Sequence, residues 1–221
     1  LMSNIPFKNI SQNKSSDEND LKELLTELNN LVPKFVDSST FKRHIFDMSD
    51  ENHYTETFIK YFLNENKESR FGLMNQISLP NRRSSDIGIY LKANDEHYIF
   101  CIEAKFLPPT DYVSGEYAAI KRYKKSEHGL SHRDPNKAKH LPECGILAYS
   151  KSDTFDSHLH KINSKIEILS STLDEYGLNW DASEKLSSVE LKETAYLKSK
   201  HPRNDSCHIE LHHFWVNISD L

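Results

Sequence analysis

The stretch "SSDIGIYLKANDEHYIFCIEAKFLP", from Ser84 to Pro108, has the pattern of two β-strands joined by a polar turn. We expect Asn94 and Asp95 to form the turn, because Asx residues tolerate the positive φ angles of tight hairpin turns. In the register that follows, apolar residues pair along one face: Ile87 with Ile102, Ile89 with Phe100, and Leu91 with Tyr98. The sequence therefore predicts an antiparallel hairpin at the centre of the fold.

The same register places acidic residues of the two strands opposite each other. Asp86 faces Glu103, and Lys105 lies two residues beyond Glu103 on the same side of its strand. Two carboxylates directly opposite each other destabilise a strand pair by up to about 1 kcal/mol. A divalent cation with oxygen ligands would relieve this repulsion. The hairpin therefore predicts a cluster of charges around a metal ion at one of its ends.

The composition favours one cytoplasmic domain that has no global attraction for polyanions. The chain has 221 residues and a formal net charge of −5, so binding to nucleic acid would require a local basic patch. Its three cysteines, at positions 101, 144 and 207, are odd in number and far apart, which favours reduced thiols. No apolar run of about 18 residues and no secretory signal is present, so we expect no membrane segment. We expect a flexible leader over residues 1–15 and a single domain over residues 16–221.

The periodicity of the remaining sequence predicts a mixed α/β fold. Helices are predicted from a capping box at residues 15–18 onward, and over residues 50–64, 114–125 and 153–177. Strands are predicted over residues 40–46, 75–79, 145–149, 187–198 and 207–218, in addition to the hairpin. This order favours a central mixed β-sheet that contains the hairpin and is flanked by helices.

The spacing Asp-x16-Glu-x-Lys, carried by Asp86, Glu103 and Lys105, resembles the PD-(D/E)XK nuclease superfamily. Three other acidic-x-Lys triplets occur in the chain, but only this one lies in a β-rich run with an acidic residue upstream. Ser85 stands where the family has a proline, a change that removes no ligand. The resemblance implies a restriction-endonuclease-like core and a metal-dependent enzyme that hydrolyses phosphodiester bonds, with DNA as the expected substrate.

The resemblance also implies the roles of the charged residues. A Mg²⁺ ion, for which Mn²⁺ would substitute, would be held by Asp86, Glu103 and the backbone carbonyl of Ala104. Lys105 would position the attacking water or stabilise the negative charge that develops on the phosphate. In families of this kind, a helix before the first core strand often supplies a further acidic residue, which would complete the shell through water or help to hold a second ion.

Helical periodicity selects Glu51 as that further acidic residue. In the helix predicted ahead of the hairpin, Tyr54, Phe58 and Phe62 form an apolar stripe. Glu51 falls within this stripe, whereas Glu56 faces away from it. A carboxylate on the buried side of a helix needs a charged partner or a metal. The alternative interpretation is that Glu51 is a first-turn residue favoured by the helix dipole.

A basic helix after the Glu-x-Lys strand is the predicted contact for phosphates. The segment "GEYAAIKRYKKSEHG" is similar to the helix at this place in the superfamily, where a Gln-x-x-x-Tyr pattern is frequent; here Tyr123 matches, but Ala119 occupies the Gln position. Residues 121–140 contain seven Lys and Arg against two acidic residues, although an ordinary solvated helix face is the alternative interpretation. The candidate nucleic-acid contacts are Lys121, Arg122, Tyr123 and Lys125 on this helix, Arg83 shortly before Asp86, and His201 and Arg203 in the segment "SKHPR".

Motifs for other chemistries are missing from the sequence. The histidine-rich segment "CHIELHH", at residues 207–213, has no second pair of cysteines at ligand spacing, which argues against a structural zinc site. Neither a Gly-x-Ser-x-Gly motif nor a phosphate-binding glycine loop occurs. Two alternatives to a nuclease stay open: a catalytically silent nucleic-acid-binding member of the same fold, and a protein-interaction module in which the charges form a structural salt bridge. Because cutting both strands of a duplex commonly uses two subunits, a homodimer is a further expectation.

Overall fold

The computed structural model describes residues 10–44, 50–79, 83–107, 112–125, 128–132, 134, 136–151, 155–170, 187–191, 195–203 and 207–218. Within these residues the strands are β1 (Phe71–Leu79), β2 (Arg83–Leu91), β3 (Asn94–Leu107), β4 (Glu143–Ser150), β5 (Ser187–Leu191), β6 (Ala195–Pro202) and β7 (His208–Asn217). The α-helices are α1 (Ile10–Leu31), α2 (Ser39–His44), α3 (Glu51–Glu65), α4 (Tyr112–Lys124) and α5 (Phe155–Leu169). A short 3-10 helix, Val32–Lys34, follows α1.

The strands form one mixed sheet in the order β1-β2-β3-β4-β7-β6-β5. β3, β4 and β7 run parallel to one another. The other neighbouring strands are antiparallel. The predicted mixed α/β architecture, with a mixed sheet flanked by helices, is confirmed. The central strand is β4, so the β2–β3 hairpin lies beside the centre of the sheet rather than at it.

Helices cover both faces of the sheet and divide the core into two layers. On one face, Ile102 and Ala104 of β3 pack with buried residues of α1, α2 and α3. On the other face, Cys101 of β3 packs with buried residues of α4 and α5. Because side chains alternate along a strand, Glu103 and Lys105 point to the face that α4 covers. The alternation therefore directs the charged residues of β3 toward the predicted basic helix.

The predicted hairpin register is confirmed in the half of the hairpin that carries the charges. The observed pairs there are Ile87 with Ile102, Gly88 with Cys101, and Ile89 with Phe100. One further step along this register places Asp86 opposite Glu103. This half is regular because each of its strands has a second partner, β1 for β2 and β4 for β3.

The other half of the hairpin differs from the prediction. Leu91 pairs with Asn94 across a two-residue turn, so the predictions of a turn at Asn94–Asp95 and of a Leu91–Tyr98 pair are wrong. Bulges in β3 take up the extra residues. They allow β3 to contact the segment between α4 and β4, where Tyr98 N donates to Ser131 O at 2.7 Å. A tertiary hydrogen bond therefore outweighs the turn preference of the Asx residues.

Of the strand predicted over residues 40–46, residues 40–44 belong to α2 instead, and residues 45 and 46 lie outside the described part. The Ser38 hydroxyl accepts a hydrogen bond from Phe41 N at 3.1 Å and so caps the start of this helix. The Phe41 ring packs edge-on against Phe35, with centroids 4.9 Å apart, in the core under α3. The cap and the aromatic contact together explain why a short β-like run is helical.

Other elements differ from the predictions only in their bounds. α1 begins at Ile10, so the leader expected over residues 1–15 is helical from residue 10 onward. The strand predicted over residues 187–198 is divided between β5 and β6. The helix predicted over residues 153–177 is described as far as Leu169, and residues 171–186 lie outside the described part. Among the helices of the described residues, none combines the length and the apolarity needed to cross a lipid bilayer.

Gly145 of β4 occupies a position at which the core leaves no room for a side chain. A Cβ atom there would lie 2.8 Å from Phe100 Cε1 and 2.9 Å from Ile102 Cγ1, and both of these side chains are buried. We expect Gly145→Ala to lower the free energy of unfolding in urea by about 1–3 kcal/mol, the usual cost of overpacking. The surface substitution Leu63→Ala is the control and should change it by less than about 0.5 kcal/mol. Equal effects of the two substitutions would contradict this account.

Candidate active site

The charged residues predicted on the hairpin converge on the ammonium group of Lys105, which is buried. Lys105 Nζ lies 3.1 Å from Glu103 Oε1, 3.1 Å from Glu51 Oε1 and 3.7 Å from Asp86 Oδ2. It also donates to the carbonyl oxygen of Ala104. Carboxylates from α3, β2 and β3 therefore surround one cation, and the structure brings together all four residues predicted to be catalytic.

Glu51 reaches this cluster from the first turn of α3. Asp50 caps the helix by accepting a backbone hydrogen bond from its first turn. Glu51 Oε1 accepts from Lys105 Nζ, and its other oxygen, Oε2, accepts from Phe106 N at 3.0 Å. Glu56 is exposed, as the helical periodicity predicted. Glu51 thus joins the start of α3 to the end of β3 through both of its oxygens.

Asp86 is fixed by the neighbouring strand and has a perturbed carboxyl group. Its Oδ2 accepts a hydrogen bond from Ala104 N at 2.8 Å. Burial raises the pKa of Asp86 above its ordinary value, and the Glu51 carboxylate raises it further. The charges of Lys105 and Arg122 and the bond from Ala104 N oppose this rise without cancelling it. The fold therefore disfavours the ionised form of Asp86, and an additional cation beside it would favour that form.

Glu103 is the most deeply buried acidic residue of the site. Its Oε1 accepts from the Arg122 guanidinium of α4 and lies beside the Lys105 ammonium. Its Oε2 has no hydrogen-bond partner within the described residues, and the His128 ring nitrogen Nε2 lies 3.8 Å away. A buried carboxylate oxygen that lacks a partner is costly. The site therefore contains an acceptor directed into the protein for which the described residues supply no donor.

The donor set fits a divalent cation that prefers oxygen ligands. The Asp86 and Glu103 carboxylates and the Ala104 carbonyl belong to one end of the hairpin, and all three groups lie around the Lys105 ammonium. Mg²⁺ and Mn²⁺ are bound by such carboxylate and carbonyl oxygens rather than by sulfur or nitrogen. The Glu103 Oε2 atom, which accepts no hydrogen bond from the described residues, is the observation that favours a further cation here. Glu51 Oε1, from α3, lies 3.1 Å from the same ammonium group.

The basic helix α4 contributes to the site in a different way from the prediction. Arg122 bonds to Glu103 rather than pointing only to solvent. The Lys121 ammonium lies 4.8 Å from the centre of the Tyr117 ring, and its side chain is buried. Tyr123 is completely buried and donates to Gly145 O at 2.9 Å, so its hydroxyl is a structural group. The prediction that Tyr123 contacts nucleic acid is therefore wrong, whereas Lys125, just beyond α4, is half-buried.

The segment "SKHPR" falls between the two strands predicted over residues 187–198 and 207–218, but its first four residues belong to β6. His201 and Arg203 are buried, and Arg203 donates to Leu141 O at 3.1 Å. The Ser199 hydroxyl lies 2.8 Å from His201 Nε2 and 2.7 Å from His213 Nε2. Ser199, His201 and His213 thus form a buried polar cluster between the sheet and the helices on the face covered by α4. Because His201 and Arg203 are buried, neither is placed to contact a phosphate backbone. Of the other candidates, Arg83 is the first residue of β2.

Sequence reasoning missed two residues close to the site. His128 is buried beside Glu103, and its ring packs edge-on against Tyr123 with centroids 6.0 Å apart. No local sequence pattern predicts that His128 lies beside Glu103, because the position of the segment after α4 depends on tertiary contacts. Lys151 follows β4 directly, and its ammonium lies 5.5 Å from the centre of the Phe106 ring. Its place just after a parallel strand, at the edge where Lys105 lies, is a signal that the sequence did contain.

A second group of possible metal ligands, Glu96, His97 and His132, lies in the bulged half of the hairpin. Their ligand atoms all fall within 4.8 Å of one another. However, Asp134 N donates to His132 Nδ1 at 2.8 Å, so the lone pair of that nitrogen is in use. The neutral ring then carries its proton on the other nitrogen and presents an N–H donor rather than a metal-binding lone pair. This group is therefore less suited to a cation than the spacing of its ligand atoms alone indicates.

In the histidine-rich strand β7, the ring of His212 is engaged at both nitrogens. Its Nε2 lies 2.6 Å from Glu143 Oε2, and its Nδ1 lies 2.7 Å from the Tyr196 hydroxyl. The hydrogen bond from His212 lowers the pKa of Glu143 below its ordinary value. Burial, with the nearby charges of Glu143 and Glu210, raises the pKa of Tyr196 to about 12. Glu143, His212 and Tyr196 therefore form a hydrogen-bonded chain that stabilises the part of the sheet made by β4, β7 and β6.

Comparison with known proteins adds no family to this picture. No family model, no curated protein and no solved structure matches the chain. The geometry and chemistry of the residues around Lys105 are therefore the observations that bear on function.

The raised pKa of Asp86 predicts that its charge costs stability. Because the folded protein disfavours the ionised carboxyl, this cost is present at neutral pH and is relieved as the pH falls through the raised pKa. We expect Asp86→Asn to have a higher melting temperature than the wild type at pH 7 in EDTA, since the amide oxygen can still accept from Ala104 N. The difference should shrink toward zero in acid.

The control for this comparison is Glu56→Gln, which removes an exposed carboxylate of α3. Its melting temperature should follow that of the wild type across the same pH series. An Asp86→Asn protein that is less stable than the wild type at pH 7 would show that the ion pair with Lys105 outweighs the burial of the charge.

Proposed function

We propose that this protein is a metal-dependent nuclease with a restriction-endonuclease-like core, which cleaves DNA as the PD-(D/E)XK resemblance implies. The observation that carries the proposal is the convergence of Glu51, Asp86 and Glu103 within 3.1–3.7 Å of the Lys105 ammonium. A structural salt bridge needs one carboxylate, and its interior partner would be fully hydrogen-bonded. Three carboxylates, one of them with an oxygen to which the described residues donate no hydrogen bond, favour a site built to receive a further cation.

The proposed cation is Mg²⁺, for which Mn²⁺ would substitute. Asp86, Glu103 and the carbonyl of Ala104 would hold it, and Glu51 would complete the shell through water or help to hold a second ion. When bound, the ion supplies a Lewis acid that polarises the scissile phosphate and lowers the pKa of an attacking water. The raised pKa of Asp86 is consistent with this role, because a bound cation would favour the carboxylate form that the fold alone disfavours.

Lys105 is the proposed catalytic cation. Its ammonium is held by Glu51 and Glu103 at 3.1 Å each, so its position is set before a substrate arrives. From there it would orient the attacking water and stabilise the negative charge that develops on the phosphate. Glu51 fixes Lys105 in turn, because its second oxygen is bonded to Phe106 N. Glu51 therefore acts on the reaction chiefly as a positioning residue.

The proposed substrate binds along the edge of the sheet where β3 and β4 end. The chain carries a formal net charge of −5, so the attraction must be local. Arg122 and Lys151 are exposed cations close to the site and are our candidates for phosphate contacts, together with Lys125 and Arg83. We propose a cytoplasmic setting, in keeping with three free thiols, and a homodimer where both strands of a duplex are cut.

Removal of the charge of Glu103 or of Lys105 should strongly reduce DNA cleavage. We expect Glu103→Gln and Lys105→Met each to lower the rate of metal-dependent DNA cleavage by about 100-fold or more, because each group acts on the charge of the transition state. Glu51→Gln should have a smaller effect, about tenfold, since it acts through Lys105. The assay is incubation of plasmid, single-stranded DNA and RNA with Mg²⁺, Mn²⁺ or EDTA.

The matched control is Glu56→Gln, which removes a carboxylate from the same helix as Glu51 but from its exposed side. It should cleave at the wild-type rate. Full activity of Glu103→Gln, or cleavage that persists in EDTA, would refute the assignment. Tight binding of DNA without product over hours in both metals would favour the catalytically silent alternative.

Metal binding should also stabilise the fold. A ligand that binds only the folded state stabilises it by RT ln(1 + [L]/Kd), about 2.7 kcal/mol at one hundred times Kd. We expect Mn²⁺ to raise the melting temperature of the wild type and to leave that of Glu103→Gln nearly unchanged. An unchanged wild-type melting temperature would favour the structural salt-bridge alternative.

A further inference from the structure

We propose that Arg122 is a built-in counter-cation of Glu103, which leaves that carboxylate when a divalent metal binds and then contacts a phosphate of the nucleic acid. The inference rests on the proposed function and adds a coupling between the two ligands of the site. In this scheme, metal binding releases an arginine for the substrate, so the protein binds nucleic acid more tightly when its metal is present.

The ion pair between Arg122 and Glu103 is strongly asymmetric. The Glu103 side chain is 1% exposed, whereas the Arg122 side chain is 44% exposed. The guanidinium therefore closes the outer side of the site, between a buried carboxylate and solvent. Arg122 also acts on Asp86, whose pKa it lowers, so its charge is felt at both proposed metal ligands. An arginine in this position partly neutralises the negative charge of the carboxylates, as a metal ion would.

Lys105 cannot be the cation that leaves. Its side chain is 10% exposed, and its ammonium bonds to Glu51 and to the carbonyl of Ala104 as well as lying beside Glu103. Arg122 stands on a helix at the surface, and rotation of its long side chain would carry the guanidinium outward without moving the backbone. The two cations therefore differ in mobility because they differ in burial and in the number of groups that hold them.

The balance of charge favours the exchange. Three carboxylates, Glu51, Asp86 and Glu103, face two cations, Lys105 and Arg122, which leaves one net negative charge. A divalent ion added to all five groups would leave a net positive charge around buried carboxylates. If Arg122 turns outward, the charges of the ion, Lys105 and the three carboxylates sum to zero. The released guanidinium then has the planar fork that matches a phosphate.

This exchange makes the two ligands cooperative. Metal binding breaks the Arg122–Glu103 pair and supplies a phosphate contact, so it should raise the affinity for nucleic acid. By thermodynamic linkage, nucleic acid must raise the affinity for metal by the same factor. An arginine that merely stabilised the fold would not produce this reciprocity.

The first test measures metal binding in the absence of nucleic acid. We expect Arg122→Gln to bind Mn²⁺ about tenfold more tightly than the wild type, because the ion no longer competes with a charge-assisted pair. The variant should also have a lower melting temperature than the wild type in EDTA. Addition of Mn²⁺ should raise the melting temperature of the variant by more than that of the wild type. Arg122→Lys, which keeps the charge, should lie between the two proteins, and Lys60→Gln, at an exposed position on α3, controls for the loss of one positive charge.

The second test measures the coupling with a phosphorothioate oligonucleotide, which resists cleavage, by fluorescence anisotropy with Mn²⁺ and with EDTA. Mn²⁺ should tighten binding by the wild type and by Lys60→Gln. For Arg122→Gln, the increase in oligonucleotide affinity that Mn²⁺ produces should be about tenfold smaller. This is the loss of affinity expected for one charge-assisted phosphate contact.

The outcomes separate this inference from the proposed function. If the wild type binds Mn²⁺ and cleaves DNA, but Arg122→Gln shows unchanged or weaker Mn²⁺ affinity and an unchanged gain for the oligonucleotide, the exchange is refuted and the nuclease assignment survives. If the wild type shows neither Mn²⁺ binding nor metal-dependent cleavage, both fail together. Tighter Mn²⁺ binding with a reduced gain supports the exchange.

Discussion

The burial of the Glu103 carboxylate is the constraint on which the rest of the site depends. A charge held away from water must be met by opposite charge and by hydrogen bonds. Here Lys105 comes from the same strand and Arg122 from the helix that covers it. The charged cluster is therefore complete only when α4 is packed on the sheet. Asp86 is itself partly buried, and this burial raises the pKa of its carboxyl group, so the fold maintains a site that is short of positive charge.

The parts of this arrangement that could be predicted are those set by short repeats in the sequence. Alternation along β3 places Glu103 and Lys105 on one face, and the hairpin register adds Asp86. The 3.6-residue period of α3 distinguishes Glu51 from Glu56. In each case the residue and the features that place it lie within a few turns or one hairpin, so no knowledge of distant packing is needed.

The parts that could not be predicted depend on contacts between distant segments. Tyr123 looked like a surface aromatic among basic residues, but its hydroxyl bonds to β4. His201 and Arg203 looked like loop residues, but pairing with β7 draws them into a strand. The tip of the hairpin is shifted by its bond to the segment after α4, and His128 reaches Glu103 from that same segment. Composition and local spacing carry no information about such partners.

The two-oxygen attachment of Glu51 has a consequence for how this protein can change over evolutionary time. One oxygen holds the Lys105 ammonium and the other holds the backbone of the next residue, so Glu51 ties the start of α3 to the end of β3. The stacking of Tyr54 on Phe106, with ring centroids 5.6 Å apart, reinforces that joint. Under the proposed function, natural selection for a well-folded chain and selection for an active one act on the same few atoms.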